Sequence, residues 1–171
     1  MSAAPDPTTE KRREASEIAE SIADLASEHE VTVAAAESLT GGAISASLAA
    51  APSSSEWFRG AVTAYSTEVK HRVLQVQPGP VISATCAAAV ATGVARLLGA
   101  DLAVAVTGVG GPDPQEDQPP GTVLVAVATP TEVVHSEQLA LEGDPGQIVQ
   151  ETTRVALQLL EGALTPGTRA R

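Results

Sequence analysis

Two short runs of small and β-branched residues, each ending at a glycine-containing turn, most constrain how this chain folds. Residues 31–36 lead into Glu37-Ser38-Leu39-Thr40-Gly41-Gly42, and residues 102–106 lead into Thr107-Gly108-Val109-Gly110-Gly111-Pro112. Continuous runs of this kind are typical of strands that are covered on both faces. Because only 2% of the residues are aromatic, the core has to be built from Ala, Val, Leu and Ile. We therefore predict a sheet packed tightly between helices, with ligand-sized openings at the strand ends.

The remaining segments alternate between helical and strand patterns. The predicted helices cover residues 9–30, 42–50, a short stretch after Thr67, residues 84–98 and a last segment that opens at Gly143-Asp144-Pro145, whereas the predicted strands cover residues 31–36, 59–66, 102–106, 122–128 and 132–141. This order predicts the α/β class: a three-layer α/β/α sandwich with a mixed, mostly parallel sheet. We expect a disordered leader over residues 1–8, a single domain over residues 9–164 and a disordered tail over residues 165–171.

Composition and charge exclude several classes of partner. The net charge of −11 argues against nucleic acid or an anionic membrane as a partner, because both bind basic surfaces. Cys86 is the one cysteine, so neither a disulfide nor a cysteine-based metal site forms within the chain. We interpret the acidic residues Asp113, Glu116 and Asp117 as a solvated loop, and expect no metal and no cofactor. The sequence shows neither a signal peptide nor a membrane span, so we expect a cytoplasmic protein.

Ser38 is the candidate nucleophile of the first turn. A strand that ends at Ser, Thr and Gly residues and continues as a helix exposes a hydroxyl and backbone N–H groups at one mouth. The same serine also suits a simple helix cap, and the residue pattern alone leaves both interpretations open. Glu37, beside it, either binds substrate or braces the turn.

Four motifs carry a resemblance to a known family: Ala36-Glu37-Ser38-Leu39-Thr40-Gly41-Gly42, Ser54-Ser55-Glu56-Trp57-Phe58, Tyr65-Ser66-Thr67-Glu68-Val69-Lys70, and residues 107–112 followed by Pro120-Gly121-Thr122-Val123. In this order the chain resembles the C-terminal domain of the competence-damage-inducible protein CinA, over roughly residues 12–162. Members of that family include nicotinamide mononucleotide deamidases. The resemblance implies hydrolysis of the carboxamide of nicotinamide mononucleotide to nicotinic acid mononucleotide and ammonia, without metal or coenzyme. It also suggests a homodimer or larger homo-oligomer.

Under this resemblance, Ser38 is the nucleophile, Lys70 the base and Tyr65 an assisting hydroxyl. A Ser–Lys pair works when burial lowers the lysine pKa enough to supply a neutral amine. A solvated lysine and a lone core aromatic are the ordinary alternatives for these two residues. The substrate-binding candidates are Glu37, Thr40, Gly41, Gly42, Ser55, Thr107 and Gly108, with residues 40–42 also considered as donors to an oxyanion.

The chain departs from the family pattern at the start of the last helix. Pro145 and Val149-Gln150 stand where the family typically has arginines, so basic residues that could meet a phosphate are missing. Leu39 also replaces the usual cysteine. Two alternatives to the deamidase therefore stay open: a non-catalytic nucleotide-binding or regulatory module, and an amidase for a different amide.

Overall fold

The computed structural model describes residues 13–166. Its elements are α1 (Ala15–His29), β1 (Val33–Glu37), α2 (Ala43–Ala49), α3 (Ser54–Trp57), β2 (Phe58–Thr63), α4 (Thr67–Leu74), α5 (Ala84–Leu98), β3 (Leu102–Gly108), β4 (Thr122–Ala128), β5 (Val133–Ala140) and α6 (Pro145–Leu164). Helix α5 and strand β4 have the predicted bounds. Residues 54–57, where the sequence predicts no helix, form the single helical turn α3.

Local capping explains where the helices begin. Helix α1 begins at Ala15 rather than at Thr9, because Glu14 and Glu17 form a capping box there. Helix α6 begins at Pro145 with a second capping box, in which Asp144 accepts from the Gln147 N–H.

The predicted leader, residues 1–8, lies outside the described residues. So does the predicted tail from residue 167 onwards.

The five strands form one mixed sheet in the order β2-β1-β3-β4-β5. Strand β1 pairs in parallel with both β2 and β3, whereas β4 runs antiparallel to both β3 and β5. Four strands therefore share one direction and β4 opposes them, which agrees with the predicted mixed sheet. The carboxyl ends of β1, β2 and β3 meet at one edge of the sheet, where ligand sites of open α/β sheets occur.

Alternation along the strands separates the core into two layers, one on each face of the sheet. On β1, Val33 and Ala35 belong to the cluster that also holds the buried residues of α1, α2 and α6, whereas Ala34 and Ala36 belong to the cluster that holds those of α5. All five residues of β1 are buried, as a strand covered on both faces requires. The structure is thus the predicted three-layer arrangement of helices around a central sheet. Within residues 13–166, no helix is both long enough and apolar enough to cross a bilayer.

Candidate active site

Ser38 and Lys70 are in hydrogen-bonding contact at the carboxyl ends of β1 and β2. The Lys70 Nζ lies 3.1 Å from the Ser38 Oγ and donates to the Ala64 carbonyl oxygen at 2.9 Å. Both side chains are buried, with 3% of Lys70 and 8% of Ser38 exposed. The structure therefore brings the predicted nucleophile and the predicted base together. The ordinary alternative for Lys70, a solvated lysine, does not apply because its side chain is buried.

The contact follows from the way β1 and β2 end. Glu37 and Thr63 are paired residues of the two parallel strands, and the Ala64 N–H donates to the Glu37 carbonyl at 2.8 Å. The chain then turns at Ser66, whose Oγ accepts from the Val69 N–H and begins α4. Because helical side chains point back toward the helix N-terminus, Lys70 reaches over the strand ends to Ser38.

Burial changes the protonation of Lys70. Desolvation lowers the pKa of its amine below the ordinary lysine value, while the charges of Cys86 and Glu116 act in the opposite direction. A lowered pKa enlarges the fraction of neutral amine near neutral pH, which is the form that accepts a proton from a hydroxyl. Burial also raises the pKa of the Cys86 thiol, so Cys86 is a neutral side chain at neutral pH.

Glu37 braces the turn that carries Ser38. Its carboxylate is buried and accepts hydrogen bonds from the Thr40 hydroxyl at 2.8 Å and from backbone N–H groups that begin α2: Gly42 at 3.2 Å, Ile44 at 2.8 Å and Ser45 at 2.9 Å. All of these partners belong to the chain itself. Of the two interpretations left open for Glu37, the structure therefore favours bracing over ligand binding.

Of the three backbone donors considered for an oxyanion, Thr40, Gly41 and Gly42, the turn itself uses the two glycines. The Gly41 N–H donates to the Ser38 carbonyl at 3.0 Å and the Gly42 N–H donates to Glu37, so both are used inside the turn. The glycines at these positions have φ angles of 60° and 115°, which non-glycine residues rarely adopt. Within residues 13–166, the N–H groups of Leu39 and Thr40 donate to no acceptor. These two N–H groups directly follow Ser38 in the chain and are not used inside the turn.

A cavity of about 160 Å³ opens at Ser38. Its walls come from the ends of β1 and β3, the loop after β3 and the start of α6. It is lined by Ser38, Leu39, Tyr65, Gly108, Gly110, Gly111, Gln115, Pro145 and Val149. Neither a lysine nor an arginine of residues 13–166 is among these lining residues, which do include Pro145 and Val149, the positions at which the resemblance implies arginines. The wall facing the nucleophile is therefore uncharged.

The other candidates divide between the cavity and the scaffold. Gly108 lines the cavity, and so does Tyr65, whose ring is 72% exposed; within residues 13–166 its hydroxyl makes no hydrogen bond to Ser38 or Lys70. Thr107 is buried and donates to the Val81 carbonyl at 2.8 Å. Ser55 lies on α3, before the amino end of β2, and is therefore at the opposite edge of the sheet from Ser38.

Some lining residues were not among the sequence candidates, namely Leu39, Gly110, Gly111, Gln115, Pro145 and Val149. Leu39 and the two glycines belong to the motifs that border the site, so their positions in those motifs could have identified them as lining residues. Gln115 lies in a loop of irregular structure, and only the folded position of that loop brings it to the cavity.

A family model for the CinA C-terminal domain matches residues 15–164 of the chain. A CinA-like protein from Frankia casuarinae is 38% identical over 148 residues, which cover 84% of this chain and 34% of the relative. A Mycoplasma pneumoniae protein is 34% identical over 149 residues, covering 84% of this chain and 95% of the relative. The chain thus spans about a third of the Frankia relative but nearly all of the Mycoplasma one.

Solved structures agree with the sequence comparison. A CinA superfamily protein from Klebsiella pneumoniae superposes with a TM-score of 0.85 at 29% identity, covering 89% of this chain and 98% of its own. The competence/damage-inducible protein CihA from Agrobacterium tumefaciens superposes with a TM-score of 0.81 at 28% identity, covering 96% of this chain and 99% of its own. The fold and the sequence motifs point to the same group of proteins.

Proposed function

The chain belongs to the CinA C-terminal domain family, and from that premise we propose that it is an amidohydrolase that uses Ser38 and Lys70. The proposed reaction is hydrolysis of the carboxamide of nicotinamide mononucleotide to nicotinic acid mononucleotide and ammonia. The observation that carries the proposal is the 3.1 Å contact between the Lys70 Nζ and the Ser38 Oγ beside an open cavity. A buried lysine against a serine at a strand-end turn has the parts that nucleophilic catalysis of amide hydrolysis requires.

In the proposed first half-reaction, the neutral amine of Lys70 takes the Ser38 hydroxyl proton while Oγ attacks the carboxamide carbon. The negative charge that develops on the carbonyl oxygen is stabilised by the N–H groups of Leu39 and Thr40, which are otherwise without an acceptor in the described part of the chain. Lys70 then returns its proton to the leaving nitrogen. Ammonia departs and an ester between the acyl group and Ser38 remains.

The second half-reaction repeats these roles with water. Lys70 takes a proton from a water molecule, whose oxygen attacks the ester carbon, and the Ser38 Oγ leaves as it regains the proton. The carboxylic acid product is released and the serine is restored. The Ala64 carbonyl holds Lys70 in place through both steps, because it accepts from the same Nζ.

The test compares Ser38→Ala with the wild type in an assay that measures ammonia and the nucleotide acid together. Loss of the nucleophile is expected to lower kcat/KM by at least about 10³-fold, as for other serine nucleophiles. Ser47→Ala is the matched control, because Ser47 lies on the neighbouring helix α2 and its hydroxyl donates only to the Ala43 carbonyl. Activity retained in Ser38→Ala would refute the mechanism.

One observation favours a second candidate, an amidase for an amide without a phosphate. The cavity wall formed by Pro145 and Val149 carries no charge that would pair with a phosphate. Offering nicotinamide mononucleotide, nicotinamide riboside and nicotinamide as competing substrates in one assay separates the two candidates. Calorimetric binding of the nucleotide with no turnover of any amide would instead favour the non-catalytic module.

A further inference from the structure

The loop between β3 and β4 is fastened to the loop between α4 and α5 by one carboxylate. Glu116 Oε1 accepts from the Val81 N–H at 3.1 Å, and Oε2 accepts from the Ile82 N–H at 2.9 Å. Val81 lies 35 positions before Glu116 in the chain, and Ile82 lies 34 positions before it. A carboxylate that accepts from two consecutive N–H groups makes a charge-assisted, two-point attachment, which fixes direction as well as distance. We call this attachment the Glu116 clasp.

The clasp adjoins the proposed active site on both sides. Gln115, the residue before Glu116, lines the cavity, and its backbone pairs with that of Gln118 at 3.1 and 2.8 Å. Val81, on the other loop, has its carbonyl bound by the hydroxyl of Thr107, which precedes the cavity residue Gly108. Glu116 therefore joins the loop carrying Gln115 to a segment that is itself fixed to the end of β3.

The same carboxylate acts on Lys70 through its charge. Burial lowers the pKa of Lys70, and the charges of Cys86 and Glu116 raise it. Burial also raises the pKa of the Cys86 thiol, so that thiol is neutral at neutral pH and, of these two groups, Glu116 is the one that carries a charge.

Besides Glu116 itself, the ionisable groups around this site include Cys86 on α5, Glu37 beside Ser38 and several groups on or beside helix α4. The Nδ1 of His71 is 2.7 Å from the Val76 carbonyl, Glu68 and Arg72 form an exposed pair, and Tyr65 lies at the cavity. The variants used to test Glu116 leave all of these groups unchanged.

We propose that Glu116 is a positioning residue for the Ser38–Lys70 site: its clasp holds Gln115 in the cavity wall and ties the loop after β3 to the segment at Val81, which Thr107 fixes to the end of β3. This inference rests on the proposed amidohydrolase function for its kinetic consequences only. The effect on Lys70 is measurable without any substrate.

The first experiment follows the Lys70 amine directly in the full chain. Lys11 and Lys70 are the two lysines of the sequence, so protein labelled with ¹³C at the lysine ε-carbon gives two resonances, which Lys11→Gln assigns. Glu116→Gln removes the charge while keeping an acceptor for one N–H group. Asp117→Asn is the matched control, since it removes one charge from the next residue, whose side chain makes no hydrogen bond within residues 13–166.

The Lys70 resonance is expected to titrate at lower pH in Glu116→Gln than in the wild type, because an anion that favours the ammonium form has been lost. The shift in Asp117→Asn is expected to be smaller, and high salt should reduce the shift caused by Glu116→Gln. Identical Lys70 titrations in the wild type and Glu116→Gln would overturn the placement of Glu116 as a residue that acts on the Ser38–Lys70 site.

The second experiment tests the clasp by kinetics. Glu116→Ala removes both acceptors, and misplacement of the cavity wall is expected to lower kcat/KM roughly tenfold, with Asp117→Ala close to the wild type. In Glu116→Gln the acid limb of the kcat/KM profile should move to lower pH together with the Lys70 resonance. Equal activity in Glu116→Ala and Asp117→Ala would overturn the positioning role. A shifted Lys70 titration in a protein with no amidase activity would instead refute the proposed function and leave the action of Glu116 on this site standing.

Discussion

Lys70 determines when the proposed chemistry is possible, because its amine has to be neutral to take the Ser38 proton. Burial lowers the pKa of this amine, so the neutral form appears at lower pH than in a solvated lysine. We therefore expect kcat/KM to rise with pH through this lowered pKa and then to level off. Lys70→Arg is expected to be inactive across the whole range, since arginine stays protonated. A profile that rises only at the pH of an ordinary lysine would contradict the assignment of Lys70 as the base.

At the scale of single residues, local pattern and family resemblance predicted the two residues that the structure brings into contact, Ser38 and Lys70, but not their surroundings. Ser38 and Lys70 stand in motifs whose types and spacing carry their chemistry. The bracing role of Glu37 depends on which side of the turn its carboxylate occupies, and sequence spacing leaves that undecided. Gln115 and Glu116 lie in a loop whose position is fixed by long-range contacts, and an acidic, proline-rich stretch predicts only solvation.

The β1–α2 turn is the element that depends most on one side chain. Glu37 accepts four hydrogen bonds, three of them from backbone N–H groups at the start of α2. Glu37→Gln places an amide NH₂ against donors, and we expect the free energy of unfolding to fall by about 3 kcal/mol. Urea denaturation measures this change, with Glu56→Gln on exposed α3 as the control. Unchanged stability together with a raised KM would show that Glu37 binds the substrate after all.

At the scale of elements, the strands and the long helices were predictable because their burial leaves a simple periodic pattern. Helix α5 lies between Ser83, which caps it, and Gly99, and both signals are visible in the sequence. Strand β2 ends at Thr63, earlier than predicted, because the chain turns at Ser66 to begin α4. Ala64 and Tyr65 continue the apolar pattern past Thr63, so this pattern does not show where the strand ends. Ser55 belongs to a resemblance motif, but the parallel pairing of β1 with β2 separates it from Ser38 by the length of the strand.

For the whole molecule, the sequence predicted the layers and the mixed sheet, since alternating helical and strand patterns leave few arrangements. The assembly state stays a prediction, because it depends on surfaces rather than on periodicity.

The net charge of −11 has a consequence at the same scale. A cavity without cationic lining residues in such an acidic protein repels a phosphate, and salt screens that repulsion over about 10 Å at 0.1 M ionic strength.

This electrostatic balance predicts how the two substrate candidates differ. As ionic strength increases, we expect the KM for nicotinamide mononucleotide to fall. The KM for amides that lack a phosphate should not fall with it. Val149→Arg, which places a cation in the cavity wall, should lower the KM for the nucleotide about fivefold, the effect of roughly 1 kcal/mol from one partly exposed ion pair, and leave nicotinamide unaffected. Val133→Arg on exposed β5 adds the same charge away from the cavity and separates the local effect from the change in net charge. Equal effects of the two arginines would show that the phosphate does not bind beside α6.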